Sequence, residues 1–187
     1  LPVILVVGGS QGAQALNEAI LAALPKLLEK YQVVHQTGEA NLADVEGRAM
    51  VALGNSLIIE RYKAFGYLND LATRMAAGAA ALVIARAGSG TIFEIASWGL
   101  PSIVVPIPEP ISHDQTKNAF GYARAGACVV IEQNNLTPGL LLSEIERIMT
   151  DESLKHKMSN AAKAYSRPDS AKLIADTILD IALSHEE

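Results

Sequence analysis

Three stretches of this sequence place glycines, amide side chains and one carboxylate where an apolar run gives way to an amphipathic one. In ARAGSGTIFEIASWGLP, residues 85–101, Gly88 and Gly90 flank Ser89, while Thr91 and Glu94 follow at the spacing of a helix start. The stretch therefore reads as strand, turn and helix. Amides near Ser89, Gly90 and Thr91 would point out of the positive end of that helix. A diphosphate there gains hydrogen bonds and about 0.3 to 2 kcal/mol from the helix dipole. Glu94, one turn further in, repels a phosphate but suits a vicinal diol such as a ribose, from which a carboxylate accepts two hydrogen bonds. The same spacing also fits a capping box, in which Glu94 reaches back to the backbone of Thr91 and touches no ligand.

VVGGSQGAQALN, residues 6–17, repeats the device near the start of the chain, with Gly8, Gly9 and Gly12 allowing backbone amides to approach an anion. The spacing is not G-x-G-x-x-G and there is no Walker lysine, so by itself this is equally a tight strand-to-helix turn. In VPIPEPISHDQTKNAF, residues 105–120, three prolines stiffen a loop before His113, Asp114, Gln115 and Asn118. Gln115 and Asn118, three apart, share one helix face and offer neutral donors and acceptors for sugar hydroxyls. Asp114 as an ordinary N-cap is the alternative. His113 and Asp114 have no nucleophilic serine or cysteine beside them and are not read as a catalytic pair.

The elements that must carry these turns are those of a doubly wound α/β domain. Strands are expected at Val3 to Val7, Gln32 to His35, Ser56 to Glu60, Ala81 to Ala85, Ser102 to Pro106 and Cys128 to Ile131. They are rich in Val and Ile without polar alternation, as in a parallel sheet buried on both faces. Helices are expected at Gly12 to Lys30, Ala40 to Ala52, Leu68 to Gly78, Thr91 to Trp98, Gln115 to Ala125 and Pro138 to Thr150. Residues 151–187 read as a helical tail broken at Ser166 to Asp169, with Asp169 or Ser170 capping a last helix whose Leu173, Ile174, Ile178, Ile181 and Ala182 form one stripe. In such a fold ligands settle beyond the carboxyl ends of the strands, where all three turns lie.

Composition narrows the chemistry. With 187 residues, half of them hydrophobic, the chain suits one large domain. A net charge of -5 argues against a nucleic-acid partner, which needs a clustered basic surface. The single cysteine, Cys128, lies in an apolar run and reads as a core residue in a reducing compartment. No run is apolar enough to span a bilayer. The chain has no D-x-D pair and no His/Cys cluster at ligand spacing, so no metal and no separate cofactor is expected. His35, at a strand end in VVHQTG, reads as structural. The lack of an initiator methionine ahead of Leu1 leads to the expectation that a longer protein supplies a preceding domain.

Taken in order, GGSQGA at 8–13, HQTG at 35–38, GYLNDLATRM at 66–75, ARAGSGTIFEIASWGLPSIVVP at 85–106 and HDQTKNAF at 113–120 resemble the carboxyl-terminal half of the MurG family. These are bacterial glycosyltransferases that move N-acetylglucosamine from its UDP donor to undecaprenyl-diphosphate-muramyl-pentapeptide, turning lipid I into lipid II. The resemblance covers nearly the whole chain. It implies a Rossmann-like, six-stranded donor-binding domain of the GT-B type, inverting chemistry with UDP-N-acetylglucosamine, and a place on the cytoplasmic face of the bacterial inner membrane.

By the same resemblance, Ser10, Gln11 and Gly12 lie by the donor phosphates and sugar, and the backbone of Leu68 reads the uracil edge. Ser89, Gly90 and Thr91 hold the diphosphate, Glu94 grips the ribose, and Gln115 and Asn118 meet the sugar. The family often has glutamine where this chain has Asp114, which bears on sugar discrimination. The proton-accepting base and the lipid I site belong, in the family, to an amino-terminal acceptor domain, so no catalytic residue is expected in this chain. Two alternatives stand beside this reading: a donor-binding subunit of a two-chain N-acetylglucosaminyltransferase, and an NAD-linked oxidoreductase on a similar fold.

Overall fold

The structure is a computed structural model and describes residues 1–8, 13–54, 56–108 and 113–184. Its centre is a parallel sheet of six strands: β1 (Val3–Val7), β2 (Gln32–Gln36), β3 (Tyr62–Phe65), β4 (Ala80–Arg86), β5 (Ser102–Val105) and β6 (Cys128–Val130). They lie in the order β3-β2-β1-β4-β5-β6. The strand order reverses between β1 and β4, so the connections leaving these two strands diverge and open a crevice at their carboxyl ends.

Strand periodicity divides the core in two. Ile4 and Val6 of β1, with Leu82 and Ile84 of β4, face one side and pack among Leu16, Ile20, Leu24 and Leu27 of α1 (Gln14–Lys30). The same side is closed by α2 (Leu42–Leu53) through Val45 and by α6 (Pro138–Thr150) through Leu141, Ile145 and Ile148. Leu5, Val7, Val83 and Ala85 face the other way, against α3 (Asp70–Ala79), α4 (Ser89–Trp98), α5 (His113–Arg124) and α7 (Glu152–Tyr165). Burying both faces of the central strands explains why their sequences show no polar alternation.

One strand is displaced from its expected place. Residues Leu57–Arg61 form a 3-10 turn, and β3 begins at Tyr62 instead of Ser56. The Ser56 hydroxyl accepts the Ile58 amide at 3.4 Å and starts this turn, and the guanidinium of Arg61 donates to Leu28 O at 2.7 Å, anchoring it to the end of α1. Leu57 is left 85% exposed, whereas Tyr62 is buried against His35. An apolar triplet resembles a strand in isolation; the side chain that finds a buried partner decides the register.

The last helix, α8 (Ser170–Ser184), begins where the break was expected, but it does not bury its apolar stripe. Its side chains from Ala171 to Leu183 are all exposed, Leu173 at 68% and Ile178 at 60%. No described helix is long and apolar enough to cross a membrane.

Candidate functional site

The register brings the carboxyl ends of the central strands level. Val7 pairs with Gln36 on one side and with Ala85 on the other. Gly8 then passes so close to β2 that its amide donates to Gln36 O at 3.0 Å, and a Cβ there would stand 3.0 Å from the same oxygen. Only glycine fits without displacing backbone. The loop that follows carries Ser10, Gln11 and Gly12, which lie outside the described residues.

At the end of β4, Ala87 and Gly88 turn the chain into α4. The helix begins at Ser89, two residues before the expected start, with Gly88 in extended conformation as N-cap and no capping side chain. The consequence is chemical. With Gly88 at the N-cap, Thr91 is the third helical residue and Glu94 the sixth, so the capping box between them does not form. The first-turn amides of Ser89, Gly90 and Thr91 point out of an end that carries no acidic residue in its first turn. Such an end favours an anion. The far end of α4 is closed by Gly99, whose φ of 65° is left-handed and whose amide returns to Ile95 O and Ala96 O.

The turn is held from α5. Gln115 Oε1 accepts the Ala87 amide at 3.2 Å and the Ile107 amide at 3.1 Å, tying together the loops after β4 and β5. Asn118 Nδ2 donates to Ala87 O at 3.2 Å, so both polar groups of Ala87 are held. These bonds fix the orientation of the two amides. Gln115 is left with its nitrogen, a donor, and Asn118 with its oxygen, an acceptor.

Between α3 and α4, above Val7 and Gln36, lies a cavity of about 300 Å³. Thr91, Glu94 and Trp98 line it from α4, three and four residues apart and so on one face. Leu68 lines its other wall. The carboxylate of Glu94 has no hydrogen-bond or ion-pair partner among the described residues, which leaves it open to the cavity. The peptide groups of Leu68, by contrast, already have partners. Its amide donates to Gln36 Oε1 at 3.2 Å, and its carbonyl accepts from the Thr73 hydroxyl at 3.1 Å.

Sequence reasoning missed Asp70, Thr73 and Arg74, which enter the cavity from the first turns of α3. The only available signal was their spacing of three and four in GYLNDLATRM. It also missed Arg86, buried at the end of β4, where the guanidinium donates to Val105 O at 3.2 Å and Gln133 Oε1 at 2.8 Å while its Nε finds no partner. Burial lowers the pKa of this arginine.

His35 is structural in this arrangement. Its Nε2 lies 3.0 Å from Asn17 Oδ1 and its Nδ1 2.9 Å from the Tyr62 hydroxyl. Asn17 Nδ2 donates to Thr37 O, which turns Oδ1 toward the ring. The imidazole therefore carries its proton on Nε2 and accepts from Tyr62 at Nδ1. Burial holds its pKa down to about 3, so it stays neutral. This network locks the start of α1 to the carboxyl end of β2, beside Gln36, and to the first residue of β3.

Residues 3–174 match the model of the glycosyltransferase family 28 C-terminal domain. The UDP-N-acetylglucosamine--N-acetylmuramyl-(pentapeptide) pyrophosphoryl-undecaprenol N-acetylglucosamine transferase of Limosilactobacillus reuteri is 31% identical over 188 residues, covering 100% of this chain and 50% of its own. The enzyme of the same name from Sorangium cellulosum is 38% identical over 183 residues, covering 96% of this chain and 44% of its own. The chain spans about half the length of these curated relatives. Among solved structures, MurG of Acinetobacter baumannii superposes with a TM-score of 0.80 at 30% identity, covering 96% of this chain and 50% of that one. These matches displace the oxidoreductase alternative, and the chain belongs to glycosyltransferase family 28, of which it is the C-terminal domain.

Proposed function

We propose that this chain is the donor-binding half of a glycosyltransferase that takes N-acetylglucosamine from UDP-N-acetylglucosamine and delivers it to undecaprenyl-diphosphate-muramyl-pentapeptide. The observation that carries the reading is the pairing of an uncapped α4 N-terminus with the Glu94 carboxylate, which has no partner among the described residues, one and a half turns along the same helix. A nucleoside diphosphate presents an anion and a diol at a comparable separation. Ser89, Gly90 and Thr91 hold the diphosphate, Glu94 takes the ribose hydroxyls, and Ser10, Gln11 and Gly12 approach the phosphates and sugar from the loop after β1. Gln115 and Asn118 meet the sugar, the first donating and the second accepting.

The mechanism follows from charge. As the anomeric bond breaks, the carbon gains positive character and the diphosphate gains negative charge. Fixed amides at a helix end interact more strongly with that leaving group than with the intact donor, so they lower the barrier. Pre-oriented dipoles need no reorganisation at the moment of reaction. The acceptor hydroxyl and the base that takes its proton are assigned to an amino-terminal acceptor domain, which also meets lipid I. Membrane association, on the cytoplasmic face, is assigned to that domain as well.

Isothermal calorimetry tests the reading. UDP and UDP-N-acetylglucosamine should bind this chain and NAD should not; binding of NAD alone would overturn it. The chain by itself should transfer no sugar to lipid I.

A further inference from the structure

Apart from Leu68, the described residues assigned to the donor stand on two helices: Ser89, Gly90, Thr91 and Glu94 on α4, and Gln115 and Asn118 on α5. One ligand meets both sets only if the helices keep a fixed spacing, because hydrogen bonds weaken steeply with distance and angle. The bonds from Gln115 and Asn118 to Ala87 join the helices at the ligand end. Further back, a residue outside both helices joins them again. Tyr165, the last residue of α7, stacks on Phe93 of α4 with ring centroids 5.9 Å apart and meets Tyr122 of α5 edge-on at 5.0 Å. Tyr122 is fully buried and stands four residues from Asn118 and seven from Gln115, so the three share one face of α5. Phe93 directly precedes Glu94 but lines a groove against the end of α7 instead of the cavity. The other end of α4 is also held from α7: Ser159 Oγ donates to Gly99 O at 2.6 Å, and the stem of Lys163 lies over Gly99.

We propose that Tyr165 is a positioning residue for the donor sugar: wedged between Phe93 and Tyr122, it sets the spacing between the nucleotide-holding helix α4 and the sugar-reading helix α5. The inference rests on the nucleotide-sugar reading of the site. Neither Phe93, Tyr122 nor Tyr165 lines the cavity, so the ring cluster acts through the helices and not by touching the ligand. Ring pairs prefer defined offset and edge-to-face arrangements, so they fix a spacing where an aliphatic contact would allow the helices to slide. Removing the wedge leaves each helix with its own binding groups but frees one to shift against the other. UDP, which does not reach α5, keeps its affinity. A nucleotide sugar anchored on α4 then presents its hydroxyls to Gln115 and Asn118 at varying distance, and discrimination between sugars that differ at one hydroxyl is lost. No bond is made or broken in this step; it is pre-organisation alone.

Calorimetry with UDP, UDP-N-acetylglucosamine and UDP-N-acetylgalactosamine, its epimer at one sugar hydroxyl, tests the proposal on the wild-type chain and the variants Y165F, Y165A and F93A. The wild type should prefer the glucosamine donor to its epimer. Y165F keeps the ring and should behave as wild type. Y165A and F93A should shrink the preference about tenfold, the scale of one hydrogen bond, while UDP affinity stays within about twofold. Phe93 is 46% exposed, so F93A removes the stack without opening the core, and it decides the question if thermal melting shows that Y165A folds poorly. Equal losses for UDP and both nucleotide sugars in F93A would mean general loosening and overturn the proposal. An unchanged preference in F93A would overturn it as well, as would a Y165F variant that behaves like Y165A. If the wild type binds UDP but treats the epimers alike, α5 reads no sugar and this inference alone falls. Failure of the wild type to bind UDP would remove the nucleotide reading first, and this inference with it.

Discussion

Glu94 shows how a single residue position selects between two chemistries. In ARAGSGTIFEIA the glutamate fits both a capping box and a diol-binding carboxylate, and the sequence leaves the two open. The structure starts α4 two residues earlier, which puts Glu94 beyond reach of the N-cap and leaves its carboxylate facing the cavity. Glu94→Ala should therefore weaken UDP more than tenfold in calorimetry while leaving the melting temperature unchanged; a capping glutamate would show the reverse.

His35 yields a prediction of another kind. Its folded pKa of about 3 lies below the ordinary 6.5, so the unfolded chain takes up a proton first as pH falls. Its contribution is fully present above pH 6.5 and is lost as pH falls from there toward 3, at up to about 1.4 kcal/mol per pH unit. Urea unfolding between pH 7 and pH 4 should show that slope, and His35→Gln should flatten it. The strand-end position in VVHQTG was enough to mark His35 as structural, but its partners Asn17 and Tyr62 are 18 and 27 residues away and could not be named.

At the scale of elements, the turn between β4 and α4 depends on α5. Gln115 uses its oxygen to hold two backbone amides from separate loops, and only its nitrogen remains for a ligand. The two functions can be separated. Gln115→Glu keeps an acceptor for both amides but removes the outward donor, so affinity for UDP-N-acetylglucosamine should fall toward that for UDP in calorimetry, with little change in stability. Gln115→Ala leaves both amides without their partner and should cost about 1 to 3 kcal/mol in chemical denaturation. The identity of these amide side chains and their shared helix face were legible in the sequence. Their division into an inward and an outward end was not, because it depends on loops that approach only when β4 and β5 pair. The same limit applied to β3: the triplet Leu57-Ile58-Ile59 is apolar enough for a strand, and only the burial of Tyr62 against His35 sets the pairing.

At the scale of the molecule, α8 stands apart from the rest. The two cores are built without it, and its side chains from Ala171 to Leu183 are exposed. Deleting residues 170–187 should change the unfolding free energy by no more than about 0.5 kcal/mol, the range of surface changes that disturb no core contact, as read by urea titration. A larger loss would mean that the helix packs on the domain in solution. The tail's helical periodicity and its break near Pro168 were plain from sequence, whereas the exposure of its apolar stripe was not, because periodicity gives the face of a helix and not what lies against it.

The sequence by itself determined the alternation of strands and helices, the parallel class of the sheet, and the three turns that carry polar chemistry. These follow from local periodicity and from the few residues able to adopt tight turns. Tertiary structure decided the strand order, the cavity shared by α3 and α4, and the pairing state of each polar side chain that faces it. Those properties depend on which distant groups satisfy one another's hydrogen bonds once water is excluded, and a chain read in one dimension holds no such distances.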